Sequence, residues 1–252
     1  MMHNPFSLQG KTILVTGASS GIGKSIAIEC SRMGANIVLT ARNEERLKQT
    51  LSEMEGDGHV IIPADLSDED AIKSLVEQVP VLNGVVHNAG VGNRVLCKAA
   101  RKSDIDAVIN PNVYGPILLQ RHLLKKKKVA KEGSIVVIAS RAPQAPSVGN
   151  AIYAASKGAI LGYSKVLALE LAPQKIRVNS ICPAMVWTEL IAKDAEMMGA
   201  DYSAVQEKYP LKRFGKPEDI AYLAIYLLSD ASSWMTGSSI DITGGGEGLL
   251  TL

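Results

Sequence analysis

Aromatic side chains are scarce in this chain: two Phe, two Trp and seven Tyr among 252 residues. Its core must therefore be packed from Ala, Val, Ile and Leu, the residues of buried parallel strands covered by helices. Hydrophobic residues make up 46% and charged residues 21%, a balance that supports a large core and argues against disorder. Cysteine is sparse as well. Cys30, Cys97 and Cys182 are odd in number and widely spaced, with no Cys-x-x-Cys pair, which argues against a disulfide framework or a zinc site. His3, His59, His87 and His122 show no metal-ligand spacing with one another or with carboxylates, and no metal is expected.

No apolar run is long enough to cross a bilayer, and Met1 to Phe6 lack the apolar core of a signal peptide. A soluble, cytoplasmic protein is expected. The net charge of +2 is too small to imply a nucleic-acid partner. The run Lys125-Lys126-Lys127-Lys128 invites a phosphate or membrane reading, but it follows Leu118, Leu119, Leu123 and Leu124 at an expected helix end. Positive charge is favourable there, so a solvated helix terminus is the better account.

What is present is an alternation of strands and helices. Short β-branched runs at Thr12–Thr16, Asn36–Thr40, Val60–Ile62, Gly84–His87, Ser134–Ile138, Arg177–Ile181 and Ser239–Ile242 read as seven strands. Between them, apolar residues recur at helical spacing: Ile22, Ile26, Cys30 and Met33, with Gly34 as the stop; Leu47, Leu51 and Met54; Ile72, Leu75, Val76 and Val79, with Ser67 as the expected N-cap. A segment from Ser103 to Lys128 contains Pro111, which should kink or interrupt a helix. A helix bearing Tyr153 runs to about Leu171, and another spans Pro217 to Leu228. The pattern predicts a single α/β domain over residues 1–252, a doubly wound parallel seven-stranded sheet with helices on both faces. Residues 188–210 are the one long insertion, and Met197, Met198, Tyr202 and Tyr209 suit a cover over a site.

Thr16-Gly17-Ala18-Ser19-Ser20-Gly21-Ile22-Gly23 lies between the first strand and the first helix, where such sheets bind dinucleotides. Glycines let the backbone approach a pyrophosphate, and the helix N-terminus offers unpaired N–H groups. After the second strand, where NAD-preferring folds usually carry an acid, the chain has Thr40-Ala41-Arg42-Asn43. A guanidinium there suits a 2′-phosphate and argues for NADP(H); the competing reading is a solvated Arg42 near the next helix. Tyr153 and Lys157 are four residues apart on one helix face, so the ammonium is expected to lower the phenol pKa toward the range of general acid–base chemistry.

With the glycine turn and the Tyr153/Lys157 pair together, the sequence resembles the short-chain dehydrogenase/reductase family over nearly its whole length. Thr16 to Gly23 matches the family's Thr-Gly-x-x-x-Gly-x-Gly, Asn88-Ala89-Gly90 its Asn-Ala-Gly, and Asp65 its adenine-contacting aspartate. Asn112, Ser140, Tyr153 and Lys157 fit its catalytic tetrad, with Asn110 competing for the first place because Asn110-Pro111 precedes Asn112. The resemblance implies cofactor contacts from Gly17, Ser19, Ser20, Gly21, Ile22, Gly23, Arg42, Asp65, Leu66, Asn88, Ala89, Gly90, Tyr153, Lys157, Pro183, Val186 and Thr188. It implies Tyr153 as proton donor to a substrate carbonyl, Ser140 as its hydrogen-bonding partner, Lys157 as ligand of the nicotinamide ribose, and Asn112 as holder of a water that links Lys157 to solvent. Ala184 stands where the family commonly has glycine, so a positive φ there would be strained. Arg141 and Gln144, in a loop stiffened by two prolines, are candidates to bind a polar or acidic substrate. A homotetramer is expected, with a dimer next. The leading expectation is an NADPH-dependent oxidoreductase interconverting a ketone and a secondary alcohol, with a 3-oxoacyl thioester as the first substrate class. A hydroxysteroid or sugar-alcohol dehydrogenase is the alternative, and an inactive NADP(H)-binding regulator the alternative of a different class.

Overall fold

In a computed structural model, residues 4–189, 191–192 and 202–246 are described. Their strands are β1 (Thr12–Thr16), β2 (Asn36–Thr40), β3 (Val60–Ile61), β4 (Leu82–His87), β5 (Val129–Ile138), β6 (Arg177–Pro183) and β7 (Ser239–Ile242). They form one sheet in the order β3-β2-β1-β4-β5-β6-β7, with every neighbouring pair parallel. The order reverses between β1 and β4, so a crevice opens beyond their C-terminal ends, and that crevice holds the site.

Both faces of the sheet are buried, and the two-residue period of a strand divides its side chains between two cores. Ile13, Val15, Val86, Val136, Ile138 and Ile181 face one layer, with Ile26, Ala27 and Cys30 of α1 (Gly21–Arg32), Leu47 of α2 (Glu44–Ser52) and Ile220 and Ala224 of the helix Pro217–Leu228. Leu14, Val85, Ile135, Val137, Val178 and Cys182 face the other. There they meet Ile72, Leu75 and Val76 of α3 (Glu69–Gln78), Leu119 and Leu123 of α5 (Gly115–Lys125), and Ile160, Leu161 and Leu167 of α6 (Ala151–Leu171). Among the described residues no aromatic side chain belongs to the buried strand positions, and Tyr163 and Tyr226 pack against the two cores from their helices.

Helix α3 starts one residue later than expected. Asp68, not Ser67, is its N-cap, and the Asp68 carboxylate accepts from the N–H groups of Asp70 and Ala71 at 2.8 and 3.4 Å. An acidic cap answers both the open N–H groups and the helix dipole, typically by about 1 kcal/mol. The basic run closes α5 as expected, and two of its lysines are also tied to α3. Lys126 pairs with Glu77, and the Lys128 ammonium donates to the carbonyl of Val79 at 2.6 Å.

Pro111 leaves its mark between α4 (Lys102–Ile109) and α5. It has no N–H to donate and its ring crowds the preceding turn, and the chain passes through a π-helical turn, Asn110–Tyr114. The Gly115 N–H donates to the Asn110 carbonyl, and the extra residue in that turn carries Asn112 inward to a buried position.

The segment after β6 is anchored rather than loosely laid over the cleft. Val186 bridges to Gly215, the Trp187 N–H donates to Gly215 at 2.8 Å, and Trp187 stacks on Phe214 with ring centroids 5.9 Å apart. Tyr202, just before α7 (Ser203–Lys208), meets both rings edge-on. Tyr209 is fully buried beneath Phe214 at 5.3 Å, which corrects its assignment to the cover. Four of the chain's few aromatic residues thus form one cluster, between β6 and α8 (Pro217–Leu228). Met197 and Met198 lie outside the described residues.

Candidate active site

The glycine turn leaves β1 at Gly17, which has a φ of 67°. A side chain at Gly17 would also collide with Asn88 Nδ2, 2.8 Å from the Cβ position. Gly23 is constrained by packing: its Cβ would lie 2.3 Å from the Gly17 carbonyl oxygen and 2.4 Å from Asn88 Nδ2. Asn88 and Thr16 hold the turn from behind. The Asn88 amide donates to the Thr16 carbonyl at 3.0 Å, while the N–H groups of Asn88 and Ala89 both donate to Thr16 Oγ1, at 2.9 and 3.0 Å. Ser20, the N-cap of α1, makes no side-chain cap and the first turn carries no acid. The N–H groups of that turn remain available to an anion, which is the condition for holding a pyrophosphate.

A cleft of about 1310 Å³ runs from this turn across the sheet edge. Gly17, Ser19, Ser20, Gly21 and Ile22 line it, with Arg42, Asp65 and Leu66 at one end and Ser140, Tyr153 and Lys157 at the other. Asn88, Ala89, Gly90, Pro183, Val186 and Thr188 complete the walls named from the sequence. Gly23 and Asn112 do not line it. Gly23 packs behind the turn, and Asn110, the competitor of Asn112, is on the wall.

At the deep end, Ser140 follows β5, held in register because Ala139 N–H donates to Ile181 and Arg141 N–H to Pro183, at 2.8 and 3.0 Å. Its hydroxyl accepts from the Ala142 N–H at 3.1 Å and is near enough to the Tyr153 phenol to hold the phenol pKa down against burial. The Lys157 ammonium lies 5.8 Å from the Tyr153 ring centroid and donates to the Ile138 carbonyl at 2.8 Å. Asn112 is a bracket. Its amide donates to the Val91 carbonyl at 2.8 Å and to Ser156 Oγ at 3.0 Å, and its carbonyl oxygen accepts from the Val91 N–H at 2.8 Å. Ser156 in turn donates to the Tyr153 carbonyl at 2.7 Å, so the π-turn, β4's extension and α6 are locked together under Tyr153.

Residues 17–247 match the family model described as Enoyl-(Acyl carrier protein) reductase. The chain belongs to the short-chain dehydrogenase/reductase family. It is 36% identical over 244 residues to the 3-oxoacyl-(acyl-carrier-protein) reductase FabG of Thermotoga maritima, covering 94% of this chain and 98% of that one. It is 35% identical over 246 residues to the L-xylulose reductase of Caenorhabditis elegans, covering 95% and 97%. Among solved structures, a short-chain dehydrogenase/reductase described as glucose/ribitol dehydrogenase from Brucella melitensis superposes with a TM-score of 0.89 at 30% identity, over 96% of this chain and 98% of that one. As a member of this family the chain is an oxidoreductase of alcohol and ketone groups.

The electrostatics of the family's site residues differ from the sequence expectation in one respect. The Tyr153 phenol is pushed up, not down: burial is the larger influence, and the hydrogen bond with Ser140 opposes it. Spacing brings Lys157 to the tyrosine face, but its ammonium donates to the Ile138 carbonyl and does not count among the influences on the phenol. A raised pKa keeps the phenol protonated at neutral pH. Lys157 is itself pulled down to about 8 by burial. The Cys182 thiol beside it works the other way but is raised to about 11 by burial, so near neutral pH it presents no charge and burial governs Lys157.

That burial has a pH signature. Unfolded, Lys157 titrates near the ordinary lysine value of 10.5, so between about 8 and 10.5 the unfolded chain binds the proton that the folded chain has released. Stability therefore rises with pH in that window, by about 3 kcal/mol for a shift of this size. Urea denaturation of the wild type and of Lys157→Met at several pH values should show the difference between them moving in favour of the wild type as pH rises from about 8 to 10. A flat difference would contradict the buried ammonium.

Two further expectations are corrected. Ala184 is not among the described non-glycine residues with positive φ, and its N–H donates to the Ile242 carbonyl at 3.0 Å, so alanine sits there without strain. Gln144 is exposed and off the cleft wall, so it is no candidate substrate ligand, whereas Arg141 lines the cleft and is paired there with Asp241 of β7 at 2.5 Å. Sequence reasoning missed Ser156, although it lies inside the Tyr153/Lys157 motif, and also Arg46 and Glu189, which line the cleft and pair across it.

Proposed function

We propose that the protein is an NADPH-dependent ketone reductase in which Tyr153 gives a proton to the carbonyl oxygen, with 3-oxoacyl thioesters as the substrate class. The observation that carries this reading is Ser140, Tyr153 and Lys157 brought together on the cleft wall, with the Tyr153 phenol protonated at neutral pH, the state that reduction requires. NADPH, when bound, supplies the hydride. Gly17, Ser19, Gly21 and the open first turn of α1 hold the pyrophosphate; Asp65 and Leu66 flank the adenine; Arg42 meets the 2′-phosphate; Lys157 and Thr188 hold the nicotinamide end. Tyr153 and Ser140 hydrogen-bond the same substrate oxygen, so charge developing on it is met by two donors. Lys157 returns the proton to Tyr153 after turnover, and Asn112 keeps α6 in position under the phenol.

The described cleft takes in Arg94 and Tyr202 as well as the residues assigned to the cofactor. The likeness to FabG supports a thioester ahead of a sugar or steroid. An unstrained Ala184 removes the reason to read the chain as an inactive regulator. The outer face of α6 exposes Val166 and Leu169, which supports symmetric association, a homotetramer first and a dimer next. The test is NADPH and NADH oxidation with 3-oxoacyl thioesters, keto sugars and steroid ketones. NADPH-linked turnover of the thioester is expected; preference for NADH, or for a sugar or steroid, would overturn the corresponding part.

A further inference from the structure

The cleft carries two arginines at its adenosine end, in different states. Arg42 has no ion-pair partner among the described residues, whereas the Arg46 guanidinium is hydrogen-bonded to the Glu189 carboxylate, 143 positions away in the chain. Both arginines line the cleft beside Ser19, Ala41 and Asn43. Arg46 stands in the first turn of α2, where its N–H is capped by Asn43 Oδ1 at 3.0 Å, so the base of its side chain is fixed. Glu189 arrives from the opposite wall. It follows Thr188, whose methyl carbon lies 3.4 Å from the Cβ position of Gly21, and it thus reaches across the glycine turn to α2.

The pairing is selective. Glu44 and Glu45, nearer in sequence to Arg46, are both engaged by Lys48 at 3.1 and 2.8 Å. We propose that Arg46 is a second guanidinium for the 2′-phosphate of the cofactor, beside Arg42, and that Glu189 is the counter-ion this phosphate displaces. The inference rests on the NADP(H) reading given above. A phosphate monoester carries more charge and more acceptor oxygens than a carboxylate and matches the arginine fork in two-point contact. The Arg46–Glu189 pair is largely solvated, and a solvated ion pair is weakly held and readily exchanged. A cofactor without the 2′-phosphate leaves the pair intact and gains nothing from Arg46. Glu189 is then a specificity-determining residue as much as Arg46, because it sets how much a phosphate must displace.

Calorimetric titration of the full chain with adenosine 2′,5′-bisphosphate and with adenosine 5′-monophosphate tests this with no turnover involved. Arg46→Gln should weaken the bisphosphate by about tenfold and leave the monophosphate within about twofold. Glu189→Gln should tighten the bisphosphate by about threefold without changing the monophosphate, and that gain should vanish in the double variant. An unchanged bisphosphate affinity in Arg46→Gln, or equal shifts of both ligands in Glu189→Gln, would overturn the inference. If the wild type binds both ligands equally, the NADP(H) reading itself fails. If it prefers the bisphosphate and Arg42→Ala alone removes that preference, only the inference about Arg46 and Glu189 fails.

Discussion

Replacing Tyr153 with Phe is expected to lower kcat for ketone reduction by about a thousandfold or more, with cofactor affinity within about twofold of the wild type. The substitution deletes one hydroxyl from a buried ring. Ser140 keeps its contact with the Ala142 N–H, Ser156 its bond to the carbonyl at position 153, and Lys157 its bond to Ile138, so the fold around the vacancy is retained. What disappears is the proton donor and one of two groups facing the substrate oxygen. The direction of the Tyr153 shift adds a second readout: a phenol raised by burial stays protonated through neutral pH, so wild-type reduction should be level there, whereas alcohol oxidation, which needs the phenolate, should climb with pH. Wild-type turnover in Tyr153→Phe would remove the residue from the mechanism.

The second large effect belongs to Gly23→Ala. One methyl group at this position would stand 2.3 Å from the Gly17 carbonyl oxygen and 2.4 Å from the Asn88 amide nitrogen, both part of the scaffold that shapes the turn. Neither is the free end of a flexible chain, since Asn88 Nδ2 is already bonded to the Thr16 carbonyl at 3.0 Å. The backbone must move, and α1 with it. Overpacking of this kind costs about 2 kcal/mol, and displacement of the α1 N-terminus by even part of an ångström should weaken cofactor binding by about a hundredfold. Gly162→Ala in α6 is the control, because its Cβ meets nothing within 4 Å and alanine there favours the helix. Thermal unfolding and cofactor fluorescence titration of both variants should separate them. Equal behaviour would mean that the turn tolerates a side chain at Gly23.

Much of this was legible in the sequence because the signals are local. β1, β2, β7 and α8 have the bounds that alternation and flanking residues predict, and Pro111 announces an irregular turn without saying that it is a π-turn. β5 starts at Val129, five residues before the expected Ser134, because Val129 pairs with Leu82 of β4; the stretch 130–133 then bulges out through a positive φ at Glu132, and pairing resumes at Ser134 with Gly84. Motif spacing brings Ser140, Tyr153 and Lys157 together, yet it carries no information on burial or on where an ammonium points. The expected lowering of the Tyr153 pKa failed for that reason. Contacts between distant segments were equally out of reach: Arg46 with Glu189, Asn112 with Val91 and Ser156, and the aromatic cluster of Trp187, Tyr202, Tyr209 and Phe214 depend on the closed fold. Ala184 shows the reverse error, a suspected strain that the backbone does not contain.

Mass spectrometry of the product formed from a 3-oxoacyl thioester and NADPH deuterated at C4 tests the central claim most directly. The account predicts one deuterium on the carbinol carbon of a 3-hydroxyacyl thioester in the wild type, and none above background in Tyr153→Phe. A 3-oxoacyl thioester left unreduced by the wild type, or the same labelled product formed at the wild-type rate by Tyr153→Phe, would contradict it.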